Sequence, residues 1–360
     1  MTEYREILQY GPFEVEKAEK ENILCQRLKE LTQFHYAGCS TYRHILDGLG
    51  WDPEEIKSCH QIPFLPVSLF KTMELLSIDP EDIFKTMTSS GTSGQAVSKI
   101  FLDKTTAGNQ QRTLVKIVGN FTGASRMPML IIDSPAVIKD RNLFSARGAG
   151  IMGFSIFGTD RTYALHEDMS INIEAIDRFM QKHNRQRIFI FGFTFMIWEH
   201  FYKALVARNL KLDFSNGVLI HGGGWKKLAA EAVSSETFKE KLSALTGIRH
   251  IHDYYGMAEQ TGTIYMECEY GHLHASTYSD IIVRNHKDFS VCKTGEPGII
   301  QTVSVLPESY PGHSLLTEDE GVLIGEDDCP CGRKGKYFKV IGRLQNAEIR
   351  GCSDTYASQF

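Results

Sequence analysis

The 360-residue chain carries 39 Lys and Arg against 44 Asp and Glu, a formal net charge of −5 at pH 7, with 42% hydrophobic and 11% aromatic residues. That balance supplies no basic field for a nucleic-acid backbone, and no stretch approaches the roughly 18 apolar residues of a membrane span. The opening MTEYREILQYGPFEVEKAEKEN lacks the apolar run of a signal peptide, so a cytoplasmic protein with neither nucleic acid nor membrane as partner is expected.

Residues 14–36 place Val15, Ala18, Leu24, Leu28, Leu31 and Phe34 at helical spacing among charged residues, which predicts an amphipathic helix in an N-terminal helical arm over about 1–60. The two prolines of IPFLPVSLFKT favour an extended strap. Strands are expected at Met129–Ile132, Met152–Phe157, Arg187–Phe191 and Gly217–Ile220, with helices at 171–184 and 226–247, the latter ending at a glycine. The alternation predicts an α/β fold, with helices covering a parallel or mixed sheet. Beyond about residue 262, short runs at Asp280–Val283, Gly298–Val305, Gly321–Ile324 and Tyr337–Ile341 predict a β-rich subdomain, about 263–342. One main body, 1–342, and a short tail, 343–360, are expected.

Three segments carry the chemistry. TSSGTSGQAVSK, 88–99, has five hydroxyl residues and two glycines in its first seven positions. Glycines let backbone N–H groups approach an anion and hydroxyls donate further hydrogen bonds, although a plain Ser/Gly surface loop has the same composition. In HDYYGMAEQTG, 252–262, Glu259 follows a Tyr-Gly turn and offers a hard oxygen ligand suited to Mg²⁺; a solvated glutamate is the commoner fate of such a residue. HGGGWKK, 221–227, follows a strand and precedes a helix, where a glycine turn can approach a nucleotide or simply connect the two.

Together with Asp319 in LLTEDEG and Arg343 in VIGRLQN, these segments resemble the adenylate-forming enzymes: acyl-CoA synthetases, luciferase-type ligases and peptide-synthetase adenylation domains. The resemblance implies that Thr88, Ser89, Ser90, Gly91, Thr92, Ser93 and Gly94 hold the phosphates of ATP. It further implies that Tyr255, with Tyr254 and Gly256 beside it, stacks on adenine, that Gly222, Gly223 and Gly224 approach the nucleotide, and that Glu259 coordinates Mg²⁺. Asp319 would bind the ribose and Arg343 contact the nucleotide, while Gln345 departs from the usual hinge Asp or Lys. In that family a small C-terminal domain carrying a catalytic lysine follows, and it is expected to be largely absent here.

Eight cysteines at irregular spacing do not make a disulfide scaffold. Cys268, the Gly271-His272-Leu273-His274 run, Cys329 and Cys331 offer thiolate and imidazole donors suited to structural Zn²⁺, or they are unligated buried thiols. Phenylacetate-CoA ligase relatives have a similar CPCGR segment, and this resemblance favours His274 over His272. Cys352 lies eight residues from the carboxyl end beside Arg350, whose charge favours thiolate. Here the chain most closely resembles the bacterial bioluminescence acyl-protein synthetases, in which a cysteine near the terminus takes the acyl group.

The resemblance implies an AMP-forming acid–thiol ligase. ATP and Mg²⁺ would activate a carboxylic acid, expected to be a fatty acid, as acyl-AMP. The acyl group would pass to Cys352, with an acyl-accepting or acyl-donating protein as a further partner. The alternatives are an acyl- or aryl-CoA ligase of the phenylacetate type and a catalytically silent nucleotide-binding relative.

Overall fold

Strands and helices alternate as the apolar runs predict. In this computed structural model, which describes residues 4–52, 56–89, 97–139 and 146–344, the strands in chain order are β1 (Leu65–Pro66), β2 (Lys85–Thr88), β3 (Lys99–Leu102), β4 (Met127–Ile132), β5 (Gly158–Tyr163), β6 (Ile188–Phe193) and β7 (Gly217–Gly222). They continue as β8 (His250–Tyr255), β9 (Tyr265–Glu267), β10 (Leu273–His274), β11 (Ser279–Arg284), β12 (Pro297–Ser304), β13 (Ser314–Glu326) and β14 (Lys336–Arg343). The described residues fall into two units: one holds the chain to Ser89, the stretch to Val118 and everything from Gly256, and the other holds Gly119–Tyr255.

The second unit is a parallel sheet in the order β8-β7-β6-β4-β5. β4, β6 and β7 are buried along their whole length, as strands covered on both faces must be, which explains their unbroken apolar sequences. The flanking helix Ile173–His183 starts where the Asn172 side chain accepts from Ala175 N (3.0 Å) and buries Ile176 and Phe179. Ser235–Thr246 is capped by Ser234 and stopped by Gly247 at φ 68°, the left-handed conformation that glycine adopts without strain.

One expected strand is not a strand. Met152–Phe157 lies in the helix Ala146–Phe154 and the short turn Ser155–Phe157, and β5 begins only at Gly158. Arg147, Ile151 and Phe154 are buried, a helical repeat, while Met152 is 56% exposed. A short apolar run does not distinguish a strand from a buried helix end. Phe154 stacks on Phe191 of β6 at 4.4 Å between centroids, and that contact decides the outcome.

In the first unit β11, β12, β13 and β14 form an antiparallel meander, β10 joins β14, β9 joins β10, and β1 adds in parallel to β13. The two prolines therefore bracket a strap that is extended only at Leu65–Pro66, before a single helical turn at Leu69–Thr72. The helix Lys17–Gly38 buries Lys20, Leu24, Arg27, Leu28, Leu31, Thr32 and His35, so its inner face passes through His35 and not Phe34. Its two buried cations are paired: Lys20 lies 3.6 Å from Asp280, which Lys336 also contacts at 2.7 Å, and Arg27 pairs with Glu308.

The same face carries a histidine pair. His35 and His313 stack at 5.1 Å and 24°. Thr32 Oγ1 donates to Leu28 O, so it accepts from His313 Nε2 at 2.8 Å; His35 Nε2 donates to Pro307 O at 3.0 Å, leaving Nδ1 to accept from Ser77. Burial pushes His35 down to about 3 and His313 well below the usual imidazole range, and Arg27 opposes charge on both. Both rings are neutral when folded, whereas the unfolded chain takes up protons below about pH 6.5. Stability is therefore fully present above that pH and is lost as pH falls toward 3, by up to about 1.4 kcal/mol per pH unit for each ring. Denaturant midpoints at pH 7, 6 and 5 should fall accordingly, and His313→Gln should flatten the slope; an unchanged slope would refute this role.

Candidate active site

In the first unit, β2 and β3 pair in register from Lys85↔Leu102 to Thr88↔Lys99, and the pairing continues through Ser89 N to Ser98 O (3.1 Å) and Ser98 N to Ser89 Oγ (2.9 Å). Thr88 and Ser89 thus stand at the end of the hairpin where the chain passes from β2 to β3. Ser90, Gly91, Thr92, Ser93 and Gly94 lie outside the described residues, as do Gln345 and Cys352.

Glu259 sits in a tight turn, Ala258–Gln260, that long-range hydrogen bonds bolt down. Tyr310 donates its hydroxyl to Glu259 O at 2.8 Å, and Gln260 Nε2 donates to Gly312 O at 2.8 Å and Thr302 O at 3.3 Å. The turn is close-packed: a Cβ on Gly312 would meet Glu259 O at 3.0 Å. Glu259 is only 3% exposed, yet its Oε1 has no hydrogen-bond partner among the described residues. A carboxylate oxygen buried without a donor is costly unless a cation supplies the missing charge, and a hard divalent ion fits it.

The β13–β14 ladder brings Asp319 and Arg343 opposite each other, with Arg343 Nε 3.6 Å from Asp319 Oδ1 and Nη2 3.5 Å from Glu318 Oε2. Arg343 keeps about a third of its side-chain surface exposed (34%).

In the second unit the predicted glycines terminate β7. Gly222 lies against the Tyr254 ring, where a Cβ would come within 2.6 Å, and Gly223 and Gly224 adopt φ of 84° and 64°. β8 ends at Tyr254 and Tyr255, and Gly256 follows directly. Tyr254 also packs on Phe154 at 5.1 Å. These residues occupy the carboxyl ends of parallel strands, where α/β sheets bind ligands.

Sequence reasoning did not single out two polar groups at the same strand ends. Asp133, just past β4, pairs with Arg147 at 3.1 Å, both buried, and burial pushes Asp133 up to about 6 against the pull of Arg147. Thr194, just past β6, contacts His221 Nδ1 at 2.9 Å. The available signal was a polar residue directly after each apolar run.

The four soft donors come together in the first unit. One ligand atom from each of Cys268, His274, Cys329 and Cys331 lies within 4.8 Å of all the others. The β9–β10 turn places Cys268 and His274, with Gly271 at φ 74°, and the β13–β14 connection supplies Cys329 and Cys331, with Gly332 at φ 80°. Burial pushes the Cys329 thiol up to about 12 and, aided by Arg333, His274 down to about 3. His272 also approaches Cys329, at 3.4 Å, but stands outside the set of four.

Comparison with solved structures defines the fold. The chain has the fold of the adenylate-forming ligases: it superposes on 2-hydroxyisobutyryl-CoA ligase, solved in an open conformation with 2-HIB-AMP and CoA, with a TM-score of 0.68 at 14% identity, covering 93% of this chain and 77% of that one. Residues 3–360 match the family model of acyl-protein synthetase, LuxE, and the chain belongs to that family. Relatives named long-chain-fatty-acid–luciferin-component ligase are 22% identical in Vibrio harveyi, over 95% of this chain and 89% of the relative, and 23% identical in Aliivibrio fischeri, over 94% and 89%. The protein is an AMP-forming ligase that activates a carboxylic acid as acyl-AMP and transfers the acyl group.

Proposed function

We propose that the acid is a long-chain fatty acid and that its acceptor is the Cys352 thiol. The named substrate of the luciferin-component ligases supports the first part. In this reading the acid carboxylate attacks the α-phosphorus of ATP, displacing pyrophosphate, and the thiolate of Cys352 then attacks the acyl carbon and displaces AMP. The observation that carries the site assignment is the buried, partnerless Oε1 of Glu259, which would hold Mg²⁺; that ion would neutralise phosphate charge. Asp319 would accept the ribose hydroxyls, Arg343 would counter phosphate charge, and the glycine turn at 222–224 with Tyr255 would take the adenine end. Thr88 and Ser89 would open the phosphate loop completed by Ser90–Gly94. Acid-dependent ATP–pyrophosphate exchange, run with fatty, aromatic and amino acids with and without CoA, tests the substrate: fatty acids should support exchange best and CoA should not speed consumption of the adenylate. A preference for aromatic acids with turnover driven by CoA would overturn it.

The Cys268, His274, Cys329, Cys331 cluster would hold Zn²⁺, a tetrahedral Cys₃His set of structural type. The surroundings give that ion work to do, because the loop bearing Cys329 and Cys331 is the dock for the N-terminal segment. Lys334 N donates to Phe13 O at 2.9 Å, Lys17 N to Asp327 Oδ2 at 2.9 Å, and Lys17 pairs with Glu326 at 3.0 Å. Phe13 itself packs edge-on against His274 at 6.1 Å. No helix among the described residues is long and apolar enough to cross a membrane. We place the protein in the cytoplasm, where reduced thiols would be available to the metal.

A further inference from the structure

We infer that Thr194 is a positioning residue for the nucleotide step, setting the glycine turn at 222–224 through a shared hydroxyl; this rests on the reading of that turn as nucleotide-facing. In the β6–β7–β8 ladder, Gly192 pairs with His221 and Phe193 with Gly222, and His221 in turn pairs with Asp253 and Gly222 with Tyr254. Thr194 is therefore the first residue past β6, beside the last two residues of β7. It is 5% exposed and His221 3%.

The hydrogen bonds have one consistent arrangement. Thr194 has a single hydroxyl hydrogen, and Gly222 O, 3.2 Å away, can only accept. If the hydroxyl donates there, its oxygen accepts from His221 Nδ1 at 2.9 Å. The Asp253 carboxylate stands 3.6 Å from the same nitrogen and favours a proton on it, whereas a lone pair there would face that negative charge. His221 is thus set as the Nδ1–H tautomer. Asp253 is held in turn by Tyr254 N at 2.8 Å.

The consequence falls on backbone geometry. Gly222 is the last residue before two left-handed glycines, a segment with little intrinsic conformational preference. Its carbonyl is tied by Thr194 and its Cα face is covered by Tyr254, so the peptide planes of Gly223 and Gly224 leave the strand in a set direction. Without the hydroxyl, Gly222 O and His221 Nδ1 lose a partner in a buried setting, and the turn loses its anchor. A ligand that needs those planes would then bind to a less organised turn.

Thr194→Val, which keeps the shape and removes the hydroxyl, should raise the KM for ATP in pyrophosphate exchange about tenfold. The maximal rate and the KM for the acid should stay near wild type, the thermal midpoint should fall by no more than a few degrees from the two lost hydrogen bonds, and Thr194→Ser should restore the KM for ATP to within about twofold. A wild-type KM for ATP in Thr194→Val would overturn the inference, as would equal impairment in Thr194→Ser, or a loss seen only in maximal rate and thermal midpoint. Gly223→Ala separates the two levels. If it raises the KM for ATP while Thr194→Val does not, the positioning role alone falls; if neither variant moves it, the nucleotide reading of the turn falls as well.

Discussion

Glu259→Gln is expected to reduce acid-dependent ATP–pyrophosphate exchange by about 100- to 1,000-fold, a loss of about 3–4 kcal/mol of transition-state stabilisation. The replacement keeps the size of the side chain and the bond from Tyr310 to the main-chain oxygen, and removes only the charge. Its effect on folding should have the opposite sign. Oε1 is buried with no donor beside it among the described residues, so the wild-type carboxylate burdens the metal-free fold, and the neutral amide should leave the thermal midpoint unchanged or higher. Falling activity with steady or rising stability identifies a cation ligand. A fall in both would mark Glu259 as structural, and full exchange activity would remove it from the site.

Removing the metal from the four-donor cluster is the second large effect. The purified protein should contain about one Zn²⁺ per chain, and a strong chelator or Cys329→Ser should lower the thermal midpoint by roughly 5–10 °C. That range corresponds to about 2.5–5 kcal/mol of linked binding energy at about 2 °C per kcal/mol for a chain of this size. The damage should be directional. Because the loop at 327–335 docks residues 13–17, trypsin should cut first at Lys17 and Lys20, the latter being buried against Asp280 in the intact fold. Zinc-free protein with an unchanged midpoint and no new cleavage would show that the cluster is a group of unligated thiols.

How far the sequence could be read depended on the range of the interactions involved. β4, β6 and β7 were recognisable because strands buried on both faces have unbroken apolar sequences, and the end of the helix expected over 226–247 because Gly247 marks it locally; its start was not, since only a short 3-10 turn forms at Lys226–Glu231 before the helix begins at Ser235. Met152–Phe157 was misread because only the contact of Phe154 with Phe191 distinguishes a helix end from a strand. The inner face of the first long helix was displaced by one residue, from Phe34 to His35, because burial of a histidine depends on Ser77, Pro307 and His313, all distant in sequence.

The site shows the same division. Glu259, Asp319 and Arg343 were visible as members of a spaced pattern. The partnerless state of Glu259 depends on how Tyr310, Thr302 and Gly312 hold its turn, and the opposition of Asp319 to Arg343 depends on the register of β13 with β14. Thr194 and Asp133 carry no motif at all, and become conspicuous only when parallel pairing brings the strand ends side by side.

The central claim, that activation ends in acylation of the protein itself, is tested most directly by intact-mass measurement after incubation with Mg-ATP and a long-chain fatty acid. The account predicts a mass gain of one acid less one water, dependent on ATP, reversed by neutral hydroxylamine and absent from Cys352→Ser, which should still catalyse pyrophosphate exchange. An unmodified wild-type mass alongside acyl-CoA formation, or a hydroxylamine-labile acyl group that persists in Cys352→Ser, would contradict it.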